Sequence, residues 1–222
     1  MKILSNNGTI NYPTNGLTYS YDSSSTPVIS NVSPNSGSGG PITLTGSGFG
    51  TDSSKVNVTV GTQSCSIQTI SNTQITCQLT SGSAGTFPVQ INLNNIGNSN
   101  NDITYTYDLT IASLSTNQAS IGGSLSLVIT GSGFSSNTQV TICNNNCKLT
   151  ASLVNSITCT VPQASNLNAD STCTLTASEN GRTATSTFTY LLSLTPTLTS
   201  VSPLRGGTGG GTLLTIIGTK FP

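Results

Sequence analysis

An all-β chain built from repeated sandwiches is predicted by three observations. Apolar and polar residues alternate with period two in short runs, and clusters of Gly, Asn, Ser and Pro punctuate them about every 8 to 12 residues, the pattern of small β-sandwich proteins. The whole pattern then recurs along the chain, with Thr45-Gly46-Ser47-Gly48-Phe49 returning at Thr130-Gly131-Ser132-Gly133-Phe134 and, degenerate, at Ile217-Gly218-Thr219-Lys220-Phe221. The three Phe stand 85 and 87 residues apart. No stretch shows helical periodicity.

Taken in order, residues 1–25 read as the closing strands of a unit, with the turn Asn15-Gly16 ahead of Leu17-Thr18-Tyr19-Ser20-Tyr21. Residues 26–108 form one complete module. It opens with SNVSPNSGSGGPITL and continues through the alternating sets Ile42/Leu44, Val56/Val58/Val60, Ile75/Cys77/Leu79 and Val89/Ile91/Leu93 to Ile103/Tyr105/Tyr107. Residues 109–192 repeat this plan, with Thr116 where the other copies have Pro34 and Pro203, and close on Thr187-Phe188-Thr189-Tyr190. Residues 193–222 hold only opening strands, TSVSPLRGGTGGGTLLTI. The expected organisation is two whole modules framed by two partial ones, within a longer precursor. A module of this size buries only about 60 to 65% of its unfolded surface, so cross-links would matter to it.

Composition narrows the functions. Of 222 residues, 35 are Ser, 38 Thr, 23 Asn and 23 Gly, while six basic and six acidic side chains cancel to a net charge of zero. No basic patch exists to neutralise phosphates, which disfavours nucleic acid and anionic membranes. With no His, the Ser/His/Asp and Cys/His nucleophilic arrangements and the common zinc sites lose their central residue. Asp52, Asp102, Asp108 and Asp170 are too scattered for a calcium cage or a catalytic carboxylate pair. Gly206 to Gly211 lacks the Lys-Ser/Thr and helix of a phosphate loop and reads as a turn before a strand. A mean hydropathy of +0.02 and abundant Val, Ile and Thr argue against disorder. No apolar run reaches the roughly 18 residues of a membrane span. An uncharged surface raises a solubility problem that attached glycans or assembly into a fibre would answer. No catalytic residue, metal or cofactor is expected.

The opening Ile29-Ser30-Asn31-Val32-Ser33-Pro34, the Gly-rich turn, the T-G-x-G-F block and the pair Cys65-x11-Cys77 together resemble the IPT/TIG fold of plexins, Met-type receptors and fibrocystin-like arrays. Val201 to Gly211 is most similar to the fibrocystin type. The resemblance covers essentially the whole chain. It implies tandem immunoglobulin-like, Greek-key sandwiches in a linear array, an extracellular location, and bonds Cys65 to Cys77 and Cys147 to Cys159. The six cysteines themselves read as disulfides formed in an oxidising compartment. Closing the first loop would contribute about 3 kcal/mol. Cys143 and Cys173 are extra in the second module, where they are expected to replace Gly61 and Val89. Their bonding to each other competes with Cys143 to Cys147; a metal site at Cys143-x3-Cys147 would need two further ligands.

Three sequons stand at Asn7-Gly8-Thr9, Asn31-Val32-Ser33 and Asn57-Val58-Thr59. Asn57 lies between inward-facing Val56 and Val58 and so should face solvent, and Asn31 precedes inward Val32. The second module has none, leaving O-linked sugar on clusters such as Ser193 to Ser200 as its expectation. The function expected is a non-enzymatic, glycosylated, extracellular array forming a fibre or stalk with an adhesive role. Its partners would be neighbouring modules of the same chain, with lateral or head-to-tail self-association. Spacer modules of a receptor ectodomain are the alternative, and an accessory domain of a carbohydrate-active enzyme ranks below both for want of Trp.

Overall fold

The computed structural model describes residues 26–100 and 102–221. The strands expected in residues 1–25, and Asn7 with them, lie outside the described residues.

The first module contains β1 (Val28–Ser33), β2 (Ser36–Gly37), β3 (Gly40–Ser47), β4 (Val56–Val60), β5 (Gln63–Ile70), β6 (Gln74–Leu79), β7 (Gly85–Leu93), β8 (Gly97–Asn98) and β9 (Thr104–Tyr107). They pair in the order β1-β3-β6-β5-β4-β7-β9-β2, with β8 beside β7. The second contains β10 (Thr110–Leu114), β11 (Gln118–Ser120), β12 (Ser126–Ser132), β13 (Gln139–Ile142), β14 (Asn145–Asn146), β15 (Lys148–Leu153), β16 (Ser156–Thr160), β17 (Ser171–Glu179) and β18 (Arg182–Leu191). Here two sheets separate, β10-β12-β16-β15 and β11-β18-β17-β13-β14. The first module's path is continuous because β5 runs unbroken and pairs with both β4 and β6. Its counterpart splits into β14 and β15 at Cys147, whose N–H still donates to Val140 O at 2.8 Å. Finally β19 (Thr197–Ser202) and β20 (Thr215–Thr219) form an antiparallel hairpin.

The period-two pattern becomes two separate cores. Ile42, Leu44, Val58, Val60, Ile75 and Ile91 are buried in the first, and Leu127, Ile129, Val140, Ile157 and Leu175 in the second. Each such side chain contributes about 1.5 to 3 kcal/mol by leaving water. Their neighbours in sequence point outward because successive strand residues face opposite sides.

One tyrosine per module ties the core to a loop. Tyr107 donates its hydroxyl to Thr80 O at 3.0 Å, and Tyr190 donates to Pro162 O at 2.8 Å. Burial pushes the Tyr190 hydroxyl up to about 12 from its ordinary 10.0. Burial, reinforced by the neighbouring Tyr105, carries Tyr107 higher still. The folded state thus favours the neutral phenol, so this stabilisation is complete below about pH 10 and is lost as pH rises through about 12. Alkaline titration should show the tyrosinate signals of Tyr107 and Tyr190 appearing together with loss of the β circular dichroism, not before it.

The T-G-x-G-F block also finds its cause. β1 slips against β3 between Ile29 and Asn31, beside the Ile29↔Gly46 pair, and the same bulge recurs beside Ile111↔Gly131 and Leu198↔Gly218. A Cβ on Gly46 would strike the Val28 carbonyl and the Phe49 ring; on Gly131 it would strike the Thr110 carbonyl, and on Gly218 the Thr197 carbonyl. In the β19–β20 hairpin the residues matching the core are bare. Leu198, Leu214, Ile216 and Phe221 are 67, 51, 49 and 48% exposed, whereas Ile29, Ile42, Leu44 and Phe49 at the same positions are at most 2% exposed.

Candidate functional site

Three disulfides join the six cysteines: Cys65–Cys77, Cys147–Cys159 and Cys143–Cys173. The first links β5 to β6, and the second links Cys147, just ahead of β15, to β16, with Cα separations of 5.4 and 5.5 Å. The third joins the end of β13 to β17, at 5.3 Å. Cys143 does take the place of Gly61, since both sit at positive φ (51° and 56°). Both also donate their N–H to the partner strand, Gly61 to Pro88 O and Cys143 to Thr174 O. The expectation for Cys173 is corrected: it replaces Phe87, not Val89. Phe87 pairs with Tyr105 and Cys173 with Phe188, and those partners are themselves equivalent. The exchange makes physical sense, because the Phe87 ring lies over Gly61, where an added Cβ would meet it at 2.9 Å. One module closes this corner with a ring over a glycine, the other with a covalent bond.

The junction between the modules is a packed joint. Ala84, from the β6–β7 loop of the first module, is fully buried within the hydrophobic cluster of the second. Its N–H donates to Gly133 O at 2.8 Å, and its carbonyl accepts from Asn180 Nδ2 at 2.8 Å. Gly133 has φ of +80°, and a Cβ there would meet both the Asp108 carbonyl and the Ala84 methyl. Ser132 Oγ donates to the same Asp108 carbonyl at 3.1 Å, and Leu109 is buried. Arg182 reaches back to Thr86 Oγ1 at 3.2 Å. Behind this contact Glu179, 4% exposed, accepts from Ser135 Oγ at 2.8 Å and Thr138 Oγ1 at 2.7 Å. These two hydrogen bonds satisfy both oxygens of the buried carboxyl group and pin the loop that receives Ala84. Neither Ala84 nor Glu179 was marked by any sequence motif.

The outer faces are hydroxyl and amide ladders. In the second module Thr172, Thr174, Thr176 and Ser178 of β17 lie opposite Thr189, Thr187, Thr185 and Thr183 of β18. Thr172 and Thr189 share a hydroxyl hydrogen bond of 3.0 Å, as Thr86 and Thr106 do at 2.9 Å in the first. Asn57 is exposed on β4, opposite Asn92, with Thr59 beside it on the same face, and Asn31 is exposed on β1. Asp52 accepts from the Ser54 hydroxyl and N–H, which hold its carboxyl below its ordinary pKa, and lies 3.5 Å from Lys55. Asp170 Oδ1 accepts from Leu192 N at 2.7 Å. Among the described residues no three His, Cys, Asp or Glu side chains converge as a metal site, and no helix is long and apolar enough to cross a membrane.

Two disulfide-bonded β-sandwiches in series define a tandem immunoglobulin-like module protein. The chain belongs to the IPT/TIG domain family, whose model matches residues 27–107 and 109–190. It is similar to fibrocystin-L of Mus musculus, 34% identical over 212 residues, and to that of Homo sapiens, 31% identical over 220 residues. These alignments cover 92% and 96% of this chain, and the chain spans about 5% of the length of either relative. Among solved structures, the extracellular region of plexin A4 aligns at 20% identity and TM-score 0.39, over 86% of this chain and 18% of that one.

Proposed function

We propose that these modules belong to a non-catalytic, glycosylated, extracellular array that builds a cell-surface stalk or fibre with an adhesive role. The observation that carries this reading is the packed joint. A loop of one module completes the core of the next, and the linker carbonyl at Asp108 is held by Ser132. Units joined in this way add length without adding a hinge, which is what a stalk requires. Each would extend it by about 35 to 40 Å, a strand plus its turns.

Other features support the setting. Three disulfides suit an oxidising compartment. Asn31 and Asn57 are exposed acceptors, and sugar there would supply the solubility that a chargeless surface lacks. The bare apolar face of the β19–β20 hairpin supports its being the opening of a further module. The lack of His leaves little with which to build an active site. Imaging of the native particle tests the reading: narrow filaments or stalks, with glycan mass on Asn57 peptides, are expected. Compact globular particles carrying bare polypeptide mass would overturn it.

A further inference from the structure

We propose that the outer face of the β11-β18-β17-β13-β14 sheet is a self-association surface, which docks against the same face of a second copy of this chain. Three features of the second module point there.

The first is regularity. The β17–β18 ladder keeps register over nine pairs, from Ser171↔Tyr190 to Glu179↔Arg182, longer than any other slip-free pairing among the described residues, of which β3–β6 holds six. The paired hydroxyls therefore repeat at about 6.8 Å along the strands and about 4.8 Å across them. The second is complementarity. Gln118, Gln139 and Thr141 flank the hydroxyl pairs, and Arg182 is engaged with Thr86 of the preceding module. Glu179 is buried on the inward side, so no charge on the outward face of the ladder repels a copy. Every Thr hydroxyl is both donor and acceptor and sits beside a methyl, so the face is complementary to itself under two-fold symmetry.

The third is a difference between the modules. The pairs Val58↔Ile91 and Val140↔Ala177 are equivalent, which places Gln139 where the first module has Asn57, and Thr141 where it has Thr59. The sequon Asn-Val-Thr has become Gln-Val-Thr on the same outward face. One face offers a glycan acceptor, and its counterpart has lost the acceptor while gaining the hydroxyl lattice.

The nine and ten residues of β17 and β18, with the short β11, β13 and β14 beside them, present roughly 450 Å² per copy. Two such faces, roughly 900 Å² together, fall below the range of stable interfaces, so a single contact is weak. Repetition along paired arrays would multiply it.

Sedimentation velocity over a concentration series tests this with two variants. Gln139→Asn, secreted from a glycosylating host, restores the sequon and sets a glycan on the face. Thr174→Lys with Thr187→Lys places two cations at exposed, directly opposed positions and needs no glycan. Wild type should dimerise reversibly. The glycosylated Gln139→Asn chain should remain monomeric while the same variant made without glycosylation dimerises like wild type, and the lysine pair should weaken dimerisation at least tenfold while lowering the melting temperature by only a few degrees. A wild type monomeric at every concentration, or dimers undiminished by either the glycan or the lysines, overturns the proposal. The glycan arm rests on the secretory reading above. If Asn57 and position 139 both emerge bare, that reading fails, and the lysine pair still decides the interface.

Discussion

Gly131→Ala should unfold the second module at a temperature far below that of wild type. The added methyl has nowhere to go, because it would overlap the Thr110 carbonyl across the bulge and sit 3.1 Å from the Phe134 ring. Both neighbours are fixed. The Thr110 carbonyl belongs to a strand already kinked toward the glycine, and Phe134 is 1% exposed in the core. Overpacking of this kind costs about 1 to 3 kcal/mol when side chains can shift, and more when backbone must move. A loss of at least about 3 kcal/mol is expected, which for a domain of this size lowers the melting temperature by about 12 to 24 °C. Gly122→Ala is the matched control, since its nearest contact would be the Ser120 hydroxyl at 3.7 Å. Differential scanning calorimetry on both variants checks the contrast. Equal melting temperatures would show that the bulge can relax, and that the glycine is not there for close approach.

The second large effect concerns the Cys143–Cys173 bond. It closes a loop of 30 residues in sequence, so its removal as Cys143→Ala with Cys173→Ala should cost about 3 to 4 kcal/mol through the freed unfolded chain. A different double substitution, Cys143→Gly with Cys173→Phe, rebuilds the first module's ring-over-glycine corner. Burying most of a phenyl ring returns about 1.5 to 3 kcal/mol. Urea unfolding under nonreducing conditions should therefore rank wild type above the Gly/Phe variant and that above the Ala/Ala variant. If the Gly/Phe variant is no better than Ala/Ala, the two corners are not interchangeable and the equivalence of Phe87 with Cys173 loses its energetic meaning.

The sandwiches were legible because their cores are written in period two: Ile42 and Leu44, or Val58 and Val60, announce which face is inward wherever they occur. The T-G-x-G-F block was equally visible, although its reason was not. The first glycine answers to a carbonyl on another strand, and no local rule contains that distance. Cys173 was set against the wrong residue of the first module for a related cause. The loop before it spans residues 161–170, against 80–84 in the first module, and only pairing with β18 fixes where the longer loop ends. Ala84 and Glu179 were invisible for the strongest version of that cause. Ala84 meets Asn180 across 96 residues of sequence, and a small apolar residue in a Ser/Gly loop gives no sign that it belongs to the core of another module. Exposure of Asn57 followed from its apolar neighbours, whereas the loss of its counterpart at Gln139 emerged only once the two strands could be superposed by register.

The burial of Ala84 in its successor's core gives the chain a direction. The second module's core is finished by a residue that precedes it, so as the polypeptide leaves the ribosome the second module meets a folded predecessor ready to receive it. Cut out and expressed alone, the second module would begin life with an unplugged pole. A unit moved to the head of such a chain would need a cap of its own. The order of modules is thus part of what the fold encodes, and maturation from the N-terminal end is the sequence of events in which no apolar pole waits uncovered.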